Sequence, residues 1–179
     1  MRKNTVLTRV SAACAALAVV GFVSACGGGG DDSKVGKATD ATIGDCVSIS
    51  GGGDKETKVD VDKASCDAGD KLTFYAASVL KEGEKCATEN YSILTFDDKS
   101  RLCITPNFVK DGCYQIPMGS GILADYQKVA CDAGPKEGSA IFKATTRSEG
   151  APSCAGNQLP ISYDSPIKVG YCLLKQGQA

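Results

Sequence analysis

The chain has 179 residues, with 20 basic and 21 acidic side chains, 10 cysteines, and neither histidine nor tryptophan. Without histidine, the Ser-His and Cys-His nucleophile systems, imidazole zinc ligation and the usual proton shuttle are excluded. Three of the basic residues, Arg2, Lys3 and Arg9, open the chain; without them the balance is 17 basic to 21 acidic, near −4, which argues against a nucleic acid partner and against charge-driven docking on anionic lipid.

An apolar run from Val10 to Ala25 follows the basic start, too short and too rich in alanine for a bilayer span. Residues 1–25 read as a secretion signal. The run closes on Val23-Ser24-Ala25-Cys26, which resembles the lipobox of bacterial lipoproteins. That resemblance implies lipidation of Cys26, which becomes the first residue after cleavage, and Cys14 leaves with the signal. Each buried methylene of the acyl chains adds about 0.8 kcal/mol of membrane affinity, so two chains anchor the protein. Residues 26–40 then read as the lipidated cysteine and a flexible tether, Gly27 to Gly30 followed by Asp31-Asp32-Ser33 and mixed polar residues. A tether of this kind has a root-mean-square reach of about 20 Å. Its glycines lack the phosphate-loop spacing.

Eight further cysteines fall into two sets of one pattern: Cys46, Cys66, Cys86 and Cys103, then Cys113, Cys131, Cys154 and Cys172, at offsets of 67, 65, 68 and 69 residues. Flanking residues agree, as in Cys66-Asp67-Ala68-Gly69 and Cys131-Asp132-Ala133-Gly134. The pattern reads as an internal duplication, with residues 41–106 as the first β repeat and 107–179 as the second. No Cys-x-x-Cys occurs. An even number of exported cysteines in small units therefore reads as structural disulfides rather than a metal or redox site. Pairing in chain order is the expectation, Cys46 with Cys66, Cys86 with Cys103, Cys113 with Cys131 and Cys154 with Cys172. Four cysteines per copy allow three connectivities, and spacing does not decide among them.

Within the first copy, β-type runs fall at Cys46 to Ile49, Lys58 to Ala64 with alternating Val59 and Val61, Leu72 to Leu80, Tyr91 to Phe96 and Arg101 to Thr105. The second repeats the order at Cys113 to Ile116, Tyr126 to Cys131, Ala140 to Thr146, Ile161 to Tyr163 and Lys168 to Leu174. The fold class is thus all-β: two tandem disulfide-stapled units of about five short strands, each a curled sheet or partly open barrel. Units of this size bury too little apolar surface to be comfortable alone, and disulfides make up the difference. Only Ile104 to Gly112 separates the copies, stiffened by Pro106, with Phe108 and Val109 expected in a shared interface. The cleft between units is the default ligand site.

The residues Gly44-Asp45-Cys46, Lys63 to Cys66, Cys86, Leu102-Cys103 and Asp111-Gly112-Cys113 resemble the LppU-like lipoproteins of actinobacteria, and more distantly the septum-formation type of secreted domain. The likeness covers about Ile43 to Leu174. It implies an anchored envelope protein of this cysteine order and assigns no reaction. The histidine that septum-formation domains carry after their second cysteine is replaced here by Asp67-Ala68-Gly69 and Asp132-Ala133-Gly134, so any role of that histidine does not transfer.

Other candidates read as structural. Asp60, Asp62, Asp97 and Asp98 do not supply the oxygen set of a calcium loop. The Cys-Asp-Ala-Gly tetrapeptides read as turns in which aspartate bonds its own backbone and glycine supplies a positive φ. Gly119-Ser120-Gly121 lacks nucleophile-elbow spacing. Tyr114, Tyr126 and Tyr163 read as packing residues before a sugar-binding or peptide-binding face. The functional expectation is a non-catalytic, lipid-anchored protein on the extracytoplasmic face of the cell membrane, without cofactor or metal, binding another envelope protein or a glycan. The alternatives are a solute- or glycan-binding lipoprotein that uses the cleft and, less favoured, a cell-wall enzyme using carboxylates.

Overall fold

The described residues form ten strands: β1 (Cys46–Gly51), β2 (Val59–Ala64), β3 (Thr73–Leu80), β4 (Ser92–Thr95), β5 (Arg101–Asn107), β6 (Cys113–Pro117), β7 (Gln127–Val129), β8 (Ser139–Ser148), β9 (Leu159–Tyr163) and β10 (Val169–Lys175); β2 alternates apolar with polar residues, whereas β3, β5 and β10 are buried along most of their length. The computed structural model describes residues 33–51, 59–119 and 123–177. The expected secretion signal, Cys26 as the expected lipidation site, the glycine run after it, Gly52 to Asp54, and Ser120-Gly121 lie outside the described residues.

The strands form two antiparallel sheets of identical design, β2-β1-β3-β5-β4 and β7-β6-β8-β10-β9. Neither closes into a barrel, so β2 and β4 are the edges of sheet one, and β7 and β9 those of sheet two. Irregularities repeat as well. In sheet one the register shifts between Ala76 and Ser78; in sheet two Cys172 and Leu173 face Thr146 and Ala144, skipping Thr145. Ahead of β1, the Gly44 N–H donates to the Ala76 carbonyl at 2.9 Å, and ahead of β6 the Asp111 N–H donates to the Ala144 carbonyl at 2.7 Å. Both donors sit at positive φ, 95° and 66°.

The four disulfides pair in chain order within each sheet: Cys46–Cys66, Cys86–Cys103, Cys113–Cys131 and Cys154–Cys172. Register explains two of them. β1 places Cys46 opposite Ala64, and β6 places Cys113 opposite Val129. In each case the partner cysteine lies two residues farther along, where the chain turns back. Loops of 17 to 20 residues closed in this way contribute about 3 kcal/mol each in the chain-entropy account.

Two boundaries differ from the sequence expectation. Residues 26–40 were expected as tether, yet Ser33 to Asp40 pack as part of the fold. The Val35 N–H donates to the Val61 carbonyl at 2.8 Å, the Lys63 N–H to the Ser33 carbonyl at 2.6 Å and the Ala38 N–H to Ser100 Oγ at 2.8 Å. This strap runs from edge β2 to the β4–β5 turn and buries Val35 and Ala38. Its glycine and charged residues hid the few small apolar side chains that dock it. Second, β5 continues through Asn107, so Ile104 to Asn107 belong to sheet one, and the connector is only Phe108 to Gly112. Pro106 is a strand residue opposite Phe74. It is tolerated because β4 stops at Ser92, opposite Ile104, leaving β5 an edge at that point. Phe108 is fully buried as expected, but Val109 is 44 % exposed rather than part of the interface.

A single hydrophobic core runs through both sheets, joining Val47, Phe74, Leu102 and Ile104 to Tyr114, Phe142, Tyr171 and Leu173. The tightest backbone approach is at Gly170, where a Cβ would lie 2.0 Å from the Gly150 carbonyl oxygen and 2.6 Å from Pro152 Cδ. Gly170→Ala should therefore lower stability by about 1–3 kcal/mol, the cost of overpacking. A urea transition with unchanged slope and a lower midpoint is the expected readout, and an unshifted midpoint contradicts this packing.

Candidate functional site

Chemistry-bearing side chains gather at the seam between the sheets. Arg147, near the end of β8, reaches across to sheet one. Its guanidinium donates to Asn107 Oδ1 at 2.6 Å, to the Phe108 carbonyl at 2.9 Å and to the Tyr75 hydroxyl at 2.8 Å, and it stands 5.8 Å from the centre of the Tyr171 ring. All three acceptors are neutral, and no carboxylate forms an ion pair with Arg147 among the described residues. The fork geometry of arginine suits this bridging of separated acceptors. Asn107 is held from the other side, its Nδ2 donating to the Cys66 carbonyl at 2.7 Å and to Thr73 Oγ1 at 3.0 Å.

Aromatic contacts extend the seam. Phe108 from the connector packs against Tyr114 and Tyr171, with ring centroids 4.7 and 5.2 Å apart. The Tyr171 hydroxyl donates to the Pro106 carbonyl at 3.2 Å. At one end, Tyr91 and Tyr163 meet edge to face at 5.3 Å, while the Tyr91 hydroxyl donates to the Ser165 carbonyl at 2.9 Å and Tyr163 to the Asn90 carbonyl at 3.3 Å. At the other, Tyr126 meets Phe74 edge-on at 6.1 Å, and the Lys128 ammonium donates to the Gly69 carbonyl.

These contacts place the residues singled out in the sequence. Tyr114 and Tyr163 are core residues, and Tyr126 alone of the three lines the cavity between the sheets. Asp60 pairs with Lys34 at 4.0 Å across an exposed gap. Asp98 accepts from the Ser100 hydroxyl at 2.6 Å and N–H at 2.9 Å, bonds that hold its carboxyl below the usual range. No cluster of three metal-ligating side chains occurs among the described residues. The Cys-Asp-Ala-Gly turns form, with the Ala68 N–H donating to the Ser65 carbonyl and the Ala133 N–H to the Ala130 carbonyl, both at 3.1 Å. Their expected chemistry is corrected, since neither Gly69 nor Gly134 adopts positive φ and the side-chain bond in the first turn comes from Ser65 Oγ, which accepts from the Asp67 N–H. Arg147, Asn107 and Tyr75 were not singled out in the sequence.

The cavity at the seam, lined by Ser48, Leu72, Tyr126 and Lys128 among others, holds about 190 Å³, below the ~300 Å³ at which ligand pockets begin. Three larger cavities belong to one sheet each, the smallest of them, about 280 Å³, lying beside the Cys46–Cys66 disulfide. One of about 340 Å³ lies between the strap, β2 and β4, and one of about 440 Å³ lies beside the Cys113–Cys131 disulfide. No family model matches the chain, and no curated protein or solved structure matches it significantly.

Two outcomes follow from the seam. Arg147→Met should cost about 2 kcal/mol, the scale of hydrogen bonds to a charged group, and a double-mutant cycle with Asn107→Ala should show a coupling of about 1 kcal/mol or more in denaturant unfolding; additive effects contradict the bridge. Burial also pushes the phenols of Tyr114, Tyr126, Tyr163 and Tyr171 above their ordinary value. A raised folded value means the folded state keeps protons the unfolded chain loses, so this stability is complete below about pH 10 and is lost as pH rises beyond it. Spectrophotometric titration should show these phenols ionising together with alkaline unfolding, not ahead of it.

Proposed function

We propose that this protein is a lipid-anchored, non-catalytic component of the cell envelope, displayed on the extracytoplasmic face of the membrane, whose two sheets present one joint surface to another envelope protein or component. The observation that carries the reading is a continuous core spanning two sheets that are each cross-linked by two disulfides. Disulfides persist in an oxidising compartment, and a body locked in this way offers a surface that does not rearrange on binding. The Val23 to Cys26 segment supports the anchor, and the lack of histidine supports a binding role over catalysis. The rival readings draw less support from the seam cavity, which is small and has a single carboxylate, Asp70, in its wall, where a glycosidase-type mechanism uses two.

Photocrosslinkers placed at the exposed Ile93 of sheet one and Ile167 of sheet two, on either side of the Tyr91–Ser165 contact, should capture one and the same partner in living cells. Capture from one sheet only overturns the joint surface. Independently, Cys26→Ser should accumulate as uncleaved precursor or be shed to the medium; mature-sized, membrane-held protein overturns the anchor.

A further inference from the structure

Sheet one fills with Asn107 a recess at the end of β5, beside Cys66, that sheet two leaves open beside Cys131; the cavity of about 280 Å³ at the Cys46–Cys66 disulfide is a different place, lined by Ala41, Asp45 and Lys63 and not by Asn107. In sheet one Asn107 stands opposite Thr73 and is almost fully buried. Its carboxamide reaches the Cys66 carbonyl at 2.7 Å and approaches Cys46 Sγ at 3.8 Å. Gln176 occupies the matching place at the end of β10. Phe74 pairs with Val47 just as Phe142 pairs with Tyr114, which makes Ile141 the counterpart of Thr73, and the Gln176 N–H donates to the Ile141 carbonyl at 2.8 Å. The side chains then diverge. Gln176 Nε2 folds back onto the Leu174 carbonyl at 2.9 Å instead of reaching Cys131.

What remains is the cavity of about 440 Å³, lined by Cys131, Asp132, Ser139, Ile141, Lys175 and Gln176 among others. Its volume falls within the range of small-ligand sites. Ile141 gives it an apolar floor where sheet one has the Thr73 hydroxyl. Among the described residues, no side chain donates to the Cys131 carbonyl, and Asp132 and Lys175 at its wall form no ion pair. The recess thus offers an acceptor for an amide N–H, an apolar contact for a short aliphatic stem, and one charge of each sign.

We propose that this recess binds a free amino acid bearing a primary carboxamide. The ligand amide donates to the Cys131 carbonyl as Asn107 donates to Cys66, its ammonium meets Asp132 and its carboxylate meets Lys175. The site is separate from the joint surface proposed above and does not depend on the anchor.

The test is titration of the exported, oxidised protein with L-asparagine, followed by backbone amide NMR. Saturable shifts are expected at Ser139, Ile141 and Gln176, with half-saturation at about 1 mM or below. L-Aspartate, of the same size but without the amide N–H, should bind about tenfold more weakly, the loss of one hydrogen bond. Ala133→Trp, which fills the mouth of the recess, should abolish the shifts while the remaining spectrum stays dispersed. Should that variant fail to fold, Lys175→Gln at an exposed position carries the same arm, with binding weakened about tenfold. Absence of saturation well above the millimolar range, equal binding of aspartate, shifts centred on Asn107, or undiminished binding by the folded variants each overturns the proposal.

Discussion

Five residues, Phe108 to Gly112, join the two sheets, and that shortness governs the rest of the structure. A chain that leaves β5 at Asn107 and begins β6 at Cys113 has no room to carry the second sheet away, so the second sheet builds directly onto the first. The connector becomes core in the process: Phe108 is the ring on which Tyr114 and Tyr171 pack. Two units each too small to bury a generous core obtain one by sharing it, and the disulfides hold each unit in the shape that the shared core requires.

Sharing makes the two halves unequal despite their common design. Sheet one is covered by the strap and by sheet two; sheet two is covered by β5 and the connector. The same place in the two sheets therefore holds Val79 in one and Arg147 in the other, each following the bulge by two residues. Val79 faces solvent, whereas Arg147 bridges the seam. Asn107 and Gln176 diverge in the same way, one reaching inward to the disulfide and the other folding along its own strand. Where the halves differ, the difference follows from which of them has a neighbour.

This asymmetry also explains what the sequence could and could not reveal. Short β-type runs between turn residues and the repeated cysteine order are local signals, and the ten strands fall close to those runs; the pairing in chain order was one of three connectivities the spacing left open, and the structure forms it. The Arg147 bridge spans 40 residues of chain to Asn107 and 72 to Tyr75, and nothing local marks it, because the corresponding residue of the first copy is an unremarkable valine. Asn107 looked like linker next to Pro106, and only the early end of β4 shows why the strand survives the proline. The strap was masked by its glycines and charges, its docking resting on two small buried residues. At Gly69 and Gly134 composition was an unreliable guide to conformation, since the turn closes through backbone bonds without a left-handed residue.

The order of the disulfides bears on how such a chain is made. From Cys46 onward the cysteines pair two by two in chain order, and none waits for a partner more than 20 residues away. A polypeptide threaded outward from its amino terminus exposes both members of each pair almost together and in the correct sequence. Closing such a loop costs about 3 kcal/mol of chain entropy, and a partner farther along the chain would cost more. Oxidation can then proceed as the chain lengthens, so that the first sheet can be cross-linked before the second has formed.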